Sequence, residues 1–131
     1  MKRILWGAIA GLALAAGCSS ENVLGPENEL MVSNTTDHFQ FQATALDNVS
    51  QSLSQSWQMT GDQANVGQLG TLSGGSATLT IRDAAGVEVY TRSLAQPGTF
   101  QTTAGASPGT WTITVSLKGA TGTVNFKVDK P

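Results

Sequence analysis

This chain is poor in the residues that build catalytic and metal centres. Its 131 residues include one histidine and one cysteine. A zinc site takes several His, Cys or carboxylate ligands, and a Ser-His-Asp or Cys-His arrangement would have to use His38. A single cysteine cannot form a disulfide within the chain. We therefore expect no enzyme, no metal, no cofactor and no disulfide framework.

Charge is scarce as well. Lys and Arg total 7, Asp and Glu total 9, and charged residues make up 12% of the chain. The formal net charge of −2 becomes −4 without Lys2 and Arg3. Nucleic-acid binding needs a clustered basic footprint, and attraction to anionic lipid needs a polybasic patch. The sequence has neither, and the Ser, Thr, Gly, Gln and Asn that replace charge are common in exported β-proteins.

The N-terminus has the pattern of a secretory signal. Lys2 and Arg3 supply positive charge, and the run from Ile4 to Ala16 contains no charge. This is the order of a charged n-region followed by an apolar h-region. The run is shorter than the ~20 residues that cross a bilayer as a helix, so a permanent transmembrane helix is the weaker interpretation. Residues 1–17 are predicted to be a signal-peptide helix that is removed.

The end of this run resembles the lipobox of bacterial lipoproteins. Leu14 precedes Ala15-Ala16-Gly17-Cys18, with Ala15 where that family most often has Leu. The resemblance implies cleavage between Gly17 and Cys18, a diacylglyceryl group on the Cys18 sulfur and an acyl chain, such as palmitate, on the new amino group. Two or more chains hold a protein stably, because each buried CH₂ adds about 0.8 kcal/mol of membrane affinity. The alternatives for Cys18 are a buried free thiol or half of a disulfide.

The residues after Cys18 predict a sorting signal and a tether. Ser19 stands where lipoproteins of the inner membrane often carry Asp, so the resemblance implies the outer membrane, on its periplasmic or surface face. Residues 18–36 show no sustained period, which predicts a lipidated N-terminus and a flexible tether. A coil of this length has an r.m.s. reach of roughly 20 to 25 Å. Leu30-Met31-Val32 is the exception, as a first edge strand or as chance packing.

From residue 38 onward apolar and polar residues alternate, which predicts strands with one buried face. The alternating apolar sets are Phe39 to Ala45, Leu53 to Met59, Leu79 with Ile81, Val87 with Val89, Trp111 to Leu117, and Val124 to Val128. Turns are predicted at Asp47-Asn48, at Asp83 to Gly86 and at Lys118 to Gly122. A weaker strand is predicted over Val66 to Leu72, and a short one at Phe100. Residues 37–131 are therefore predicted to form one all-β domain, an antiparallel β-sandwich of seven or eight strands that is Ig-like or jelly-roll.

Part of this domain resembles the small sandwich domains of pre-peptidase C-terminal type, which are appended to secreted bacterial proteases. The resemblance lies in the strands Ala77 to Arg82, Thr110 to Leu117 and Thr123 to Val128, with DAAG and PGTW between them. It implies a sandwich fold. It implies no activity, because a fold does not determine function.

Few residues in this domain are candidates for chemistry. His38 lies beside Asp37, and the pair predicts a hydrogen-bonded edge or a pH-sensitive site, although a plain surface histidine is the simpler interpretation. Asp83, or Asp62 with Asn65, offers oxygen atoms that Ca²⁺ accepts. No run of acids concentrates such ligands, so turn formation is the expected role of these residues.

The aromatic residues divide by parity. Trp57 and Trp111 share the parity of apolar neighbours and are predicted to lie in the core. Tyr90 has the parity opposite to Val87 and Val89, which predicts an exposed ring able to stack on a sugar.

Together these patterns predict a membrane-anchored bacterial lipoprotein of the cell envelope, whose β-sandwich is a non-catalytic binding or structural module. The membrane is the partner that Cys18 implies, and the further partner is an envelope protein or a polysaccharide. The first alternative is a carbohydrate-binding accessory module that uses Tyr90. The second is a small envelope enzyme.

Overall fold

The computed structural model describes residues 22–131, so the predicted signal peptide, Gly17 and Cys18 lie outside the described residues. The described chain forms seven β-strands and one short 3-10 turn, Pro26–Asn28. The strands are β1 (Met31–Thr35), β2 (His38–Met59), β3 (Asn65–Gln68), β4 (Thr71–Arg82), β5 (Glu88–Ser93), β6 (Gly98–Gln101) and β7 (Gly109–Asp129). All pairings between these strands are antiparallel, which confirms the predicted all-β antiparallel fold. Residues 22–131 contain no helix that is long and apolar enough to cross a membrane.

The strands form one hydrogen-bonded sheet that folds back on itself into two layers. The first layer has the order β1-β2-β7-β3-β6, with residues 38–43 of β2 and residues 124–129 of β7. The second layer has the order β2-β7-β4-β5, with residues 51–59 of β2 and residues 109–117 of β7. The two longest strands therefore run through both layers of a sandwich-like domain.

The layers are joined where the long strands bend. The register of β2 against β7 shifts three times within residues 43–51, and that of β4 against β7 shifts twice within residues 72–76. Extra residues in one strand of a pair bend and twist the sheet. Positive φ angles mark the same places, at Ala45 (51°), Asn48 (52°), Gly75 (67°) and Gly119 (57°). We call this end of the domain, formed by residues 44–50, 69–75 and 118–122, the bend end.

The opposite end, which we call the far end, is held by a cluster around Asp37. Its carboxylate accepts hydrogen bonds from the Thr60 backbone N and hydroxyl, both at 2.7 Å. Its carbonyl accepts one from the Lys130 N at 3.0 Å. Asp37 and Lys130 border the first layer and Thr60 borders the second, so these bonds tie the layers together where no strand connects them.

Two of the predicted turns are wrong. The chain passes through Asp47-Asn48 and through residues 118–122 as continuous β-strand. Asn and Gly supply the left-handed backbone of a bulge as readily as that of a hairpin, so the same residues fit both structures. The turn at Asp83 to Gly86 is confirmed between β4 and β5, and the short strand at Phe100 is β6. The weaker strand predicted from residue 66 to 72 divides into β3 and the start of β4.

Buried side chains of both layers form a single core. Trp57 and Trp111 are 1% and 0% exposed, with an edge-to-face arrangement and ring centroids 5.8 Å apart, which confirms their predicted place in the core. In the first layer Phe126 stacks on Phe39 and Phe41 at centroid distances of 6.0 and 5.4 Å. Such aromatic pairs add about 0.5–1.5 kcal/mol each beyond the apolar area that they bury.

The N-terminal segment, residues 22–35, lies along the edge of β2 that β7 does not cover. β1 pairs with residues 38–42, the side chain of Asn28 reaches residues 44 and 45, and Asn22 bridges Val49. The flexible tether predicted up to residue 36 is therefore wrong for residues 22–36. Of the two interpretations of Leu30-Met31-Val32, the edge strand is confirmed for Met31 and Val32, and Leu30 precedes it. The physical reason is that an open strand edge presents unpaired backbone groups, and this segment supplies partners for them.

Candidate functional site

The described chain begins at Asn22 on the bend end, and Cys18, the predicted lipidation site, precedes it in the sequence. The backbone N of Asn22 donates to the Asn48 carbonyl at 2.9 Å, and its carbonyl accepts from the Ser50 N at 2.8 Å. The Asn22 side-chain amide donates to the Asp47 carbonyl at 2.6 Å. These bonds hold residue 22 against β2, so the place where the chain enters the domain is fixed.

Asn28 holds the next part of the N-terminal segment. Its side chain is 1% exposed, and its Nδ2 donates to the carbonyls of Thr44 at 2.9 Å and Ala45 at 3.1 Å. Its Oδ1 accepts from the Gly25 N at 3.0 Å. An amide side chain supplies two donors and an acceptor at once, which is what this position requires. Asn28 therefore joins the segment to the bulged part of β2, where carbonyls are left outside the ladder with β7.

Most of the exposed large apolar side chains of residues 22–131 lie in the bend end or in the part of the N-terminal segment next to it. Val23 is 66% exposed, Met31 63% and Leu69 69%, and Leu30 and Val32 are exposed to a smaller extent. The remaining one is Val87, 57% exposed, which lies beyond the end of β4 at the far end. Scattered surface apolar residues are ordinary, and the grouping of these near one end makes that end the candidate contact surface.

Met31 and Leu69 lie at the same level of the first layer. Met31 is the register partner of Gln42, which pairs in turn with Asn125, and the Leu69 N donates to the Asn125 carbonyl at 2.9 Å. A shallow groove of about 110 Å³ is lined by residues 31–33 with Gln40 and Gln42. Pockets for organic ligands measure roughly 300–1,000 Å³, so this groove is too small to hold one.

The exposed ring predicted at Tyr90 is wrong. Tyr90 is 6% exposed, and its hydroxyl donates to the Gln68 Oε1 at 2.8 Å. The pairing of β4 with β5 shifts between Ile81 and Arg82, so Val89 is an extra residue and Tyr90 turns inward opposite Ile81. Burial raises the pKa of the Tyr90 hydroxyl. A buried phenol bonded to a buried amide is a core contact, and it offers no stacking surface to a sugar.

His38 and Asp37 do not bond each other through their side chains, and each makes a separate contact at the far end. The His38 Nδ1 bonds the carboxylate of Asp129, the residue opposite it in the β2·β7 ladder. Asp37 instead bonds Thr60, and these two hydrogen bonds hold the pKa of its carboxyl below the usual value. The side chains of His38 and Asp37 therefore both connect the ends of strands.

Asp83 has the turn-forming role that the sequence predicts. Its Oδ2 accepts from the Ser107 N at 2.9 Å, and its Oδ1 accepts from the backbone N of Ala85 at 3.0 Å and of Val87 at 2.9 Å. The bonds from Ser107 and Val87 lower the pKa of the Asp83 carboxyl most. Within residues 22–131 no group of three or more His, Cys, Asp or Glu side chains is placed to hold a metal ion.

The outer face of the second layer is neutral and rich in hydroxyl groups. One row across its four strands consists of Ser54, Thr114, Thr80 and Thr91. Ser54 and Thr114 bond each other at 3.0 Å, and Thr80 and Thr91 do so at 3.3 Å. The hydroxyls therefore satisfy one another across the strands and leave a polar surface without charge at its centre.

No protein-family model matches this chain, and no curated protein matches it either.

Sequence reasoning missed the residues that fix the N-terminal segment, above all Asn22 and Asn28. They lie in a stretch without periodicity, which predicts a tether. One local signal was present, because Pro26 follows Gly25 at the first position of a helical turn, where proline is favoured. Apart from the Gly25 N, the partners named above for both asparagines are backbone groups of residues 44–50, which no local pattern reveals.

Proposed function

We propose that the protein is a lipid-anchored module of the bacterial cell envelope, with its acyl chains on Cys18 and a β-sandwich that binds a partner or supports an assembly without catalysing a reaction. The observation that supports the anchor most directly is the position of Cys18. It is the sole cysteine, and it stands where an apolar run of signal-peptide length ends in small residues.

Sorting to the outer membrane is part of the same proposal, supported by Ser19 after the lipidated residue. The partner beyond the membrane is an envelope protein or a polysaccharide, and nucleic acid is disfavoured by the net charge of −4 of the mature chain. The resemblance to pre-peptidase C-terminal domains remains a prediction that concerns fold.

The non-catalytic role is supported by what the ionisable side chains of the described chain do. Asp83 and Asp37 accept backbone hydrogen bonds that organise a turn and a strand end. His38 is bonded to Asp129 beside that same end. Groups that hold loops in place in this way account for the lowered carboxyl pKa values without a catalytic site. Carbohydrate binding loses its main support with the burial of Tyr90, because no aromatic side chain in residues 22–131 is among the exposed residues.

Metabolic labelling tests the anchor. The full chain is expressed in a bacterium supplied with radioactive palmitate, beside the Cys18→Ser variant and a Ser20→Ala control. We expect label in the wild type and the control, and none in Cys18→Ser. Equal labelling of all three variants, or an intact N-terminus starting at Met1, would refute lipidation at Cys18.

Site-specific crosslinking tests the binding role. A photoreactive residue replaces Gln40 on the outer face of the first layer, or Thr80 on that of the second, in cells that make the full chain. A discrete adduct from one position and not the other would identify the face that binds the partner. Purified protein that hydrolysed a common ester, peptide or glycoside, with activity lost in His38→Ala, would show that the non-catalytic proposal is wrong.

A further inference from the structure

The predicted tether is much shorter than residues 18–36. Asn22 is already bonded to residues 47, 48 and 50 on the bend end. If Cys18 is the first residue of the mature chain, only Ser19, Ser20 and Glu21 separate it from the domain. Four Cα steps span at most about 14 Å, whereas the full tether reaches roughly 20 to 25 Å on average and far more when extended.

This length limits where the domain can lie. The headgroup region on each side of a bilayer is roughly 5–8 Å thick, and the glyceryl group on Cys18 would sit at the inner part of that region. The bend end therefore lies within about 10 Å of the headgroup surface in every orientation that the covalent chain permits. The exposed side chains of the bend end are then the ones within reach of the membrane surface.

Those side chains are apolar where the domain is otherwise polar. Val23 adjoins the entry point, Leu30 follows the 3-10 turn, and Met31 and Leu69 lie beside the bend on the first layer. The charged residues nearby are the acidic Glu27, Glu29 and Asp47 and the basic Lys118. Such a surface fits the interfacial region of a membrane through apolar contact, and it has no cluster of basic residues that would attract anionic headgroups.

We propose that a docking surface formed by Val23, Leu30, Met31 and Leu69 rests in the headgroup layer of the membrane that holds Cys18. The sandwich then stands upright with its far end outward, and it does not swing on a flexible arm. This inference depends on the proposed lipidation of Cys18, and it adds an orientation that lipidation alone does not require.

Lipid quenching of single fluorescent labels tests the orientation. Because acylated Cys18 cannot react, each variant has one free thiol, at Leu69→Cys on the bend end or at Val87→Cys on the far end. Both native side chains are exposed, at 69% and 57%, so labelling perturbs them similarly. The lipidated full chain is reconstituted in phosphatidylcholine vesicles that contain a lipid with a quencher on its headgroup.

We expect quenching several-fold stronger at residue 69 than at residue 87. Residues 76–82 of β4 cover about 20 Å of strand between the bend and the turn that holds Val87, so the label at residue 87 lies farther from the bend than the label at residue 69. Leu69 is the informative position, since it is distant in sequence from Cys18 and only the folded domain can bring it to the membrane. Equal quenching at the two positions, or none at either, would overturn the docking surface.

Vesicle flotation separates this inference from the proposed function. If the unlabelled chain fails to float with vesicles, or floats equally well as Cys18→Ser, the lipid anchor itself is wrong. If the wild type floats, Cys18→Ser does not, and residues 69 and 87 are quenched equally, the anchor stands and the docking surface is wrong.

Discussion

Replacing Asn28 with alanine should detach the N-terminal segment from the bend end. The side chain is buried, and it makes three hydrogen bonds that alanine cannot make, to the carbonyls of Thr44 and Ala45 and from the Gly25 N. Its loss leaves three backbone groups that must find water or other partners.

The magnitude follows from those three bonds. Each intramolecular hydrogen bond contributes about 0.5–1.5 kcal/mol net, and a buried polar group left unsatisfied costs about 1–3 kcal/mol. Water can enter as the segment lifts, so the penalties do not sum fully. We expect Asn28→Ala to lower the free energy of unfolding by about 2–4 kcal/mol.

Urea denaturation followed by tryptophan fluorescence measures this loss, because Trp57 and Trp111 are buried and report global unfolding. Asn34→Ala is the matched control. Asn34 lies in the same segment but is exposed, and its side chain donates a single bond to the Ser56 carbonyl at 2.8 Å. We expect the control to lose no more than about 1 kcal/mol. Amide hydrogen exchange within residues 22–35 should be faster in Asn28→Ala than in the wild type, because the segment opens more often.

Asn28→Asp sharpens the same test. It keeps an acceptor for the Gly25 N, but at neutral pH it places a carboxylate oxygen against the carbonyls of Thr44 and Ala45. This variant should be less stable than Asn28→Ala at pH 7, and the difference should shrink as acid protonates the carboxylate. If Asn28→Ala and Asn34→Ala lose equal stability, the bonds of Asn28 do not hold the segment and this reasoning is refuted.

Three further predictions concern the bend, the core and the far end. Gly75→Ala should lower the free energy of unfolding, measured by urea denaturation, by at least about 2 kcal/mol more than Gly105→Ala does. Both glycines have a positive φ, but only a Cβ at Gly75 would collide with a backbone carbonyl. Equal losses in the two variants would contradict this. Tyr90→Phe should lose about 1–3 kcal/mol by leaving the buried Gln68 oxygen unpaired. Since the folded pKa of Tyr90 is raised, its contribution is present below about pH 10 and lost above it, so an alkaline stability profile should fall less in Tyr90→Phe than in the wild type. The lowered pKa of Asp83 has the opposite effect on stability: its contribution is present above about pH 4 and is lost as pH falls through the folded pKa. Asp83→Asn should therefore be less stable than the wild type at pH 7, and its stability should change less between neutral and acid pH. Thermal melts at several pH values measure both differences.

The period of two between apolar residues was enough to predict the fold class and most of the core. Trp57 and Trp111 lie where their parity places them, because a strand with one buried face leaves its apolar residues in register with their neighbours. The prediction failed where the ladder contains an extra residue. At Tyr90 one bulge in β5 shifts the parity, and a single sequence gives no sign of a bulge that depends on the partner strand.

The turns at Asp47-Asn48 and at residues 118–122 failed for a related reason. Whether a chain bends or reverses at Asn or Gly depends on what lies opposite, and here β2 and β7 bend at the same level so that their pairing continues. The fixed course of residues 22–28 could not be predicted because Asn22 and Asn28 bond backbone carbonyls of β2 that are distant in sequence. The proposed docking surface could not be predicted for the same reason, because Met31 and Leu69 are distant in sequence and lie at the same level of the sheet only in the folded domain.

The course of the N-terminal segment has a mechanical consequence. β1 runs from the bend end toward the far end, and its hydrogen bonds to β2 are perpendicular to that direction. A pull between the proposed lipid anchor and a partner held at the far end would load this ladder in shear, with its bonds sharing the force at once. The segment would resist such a pull much better than a strand that unzips one bond at a time.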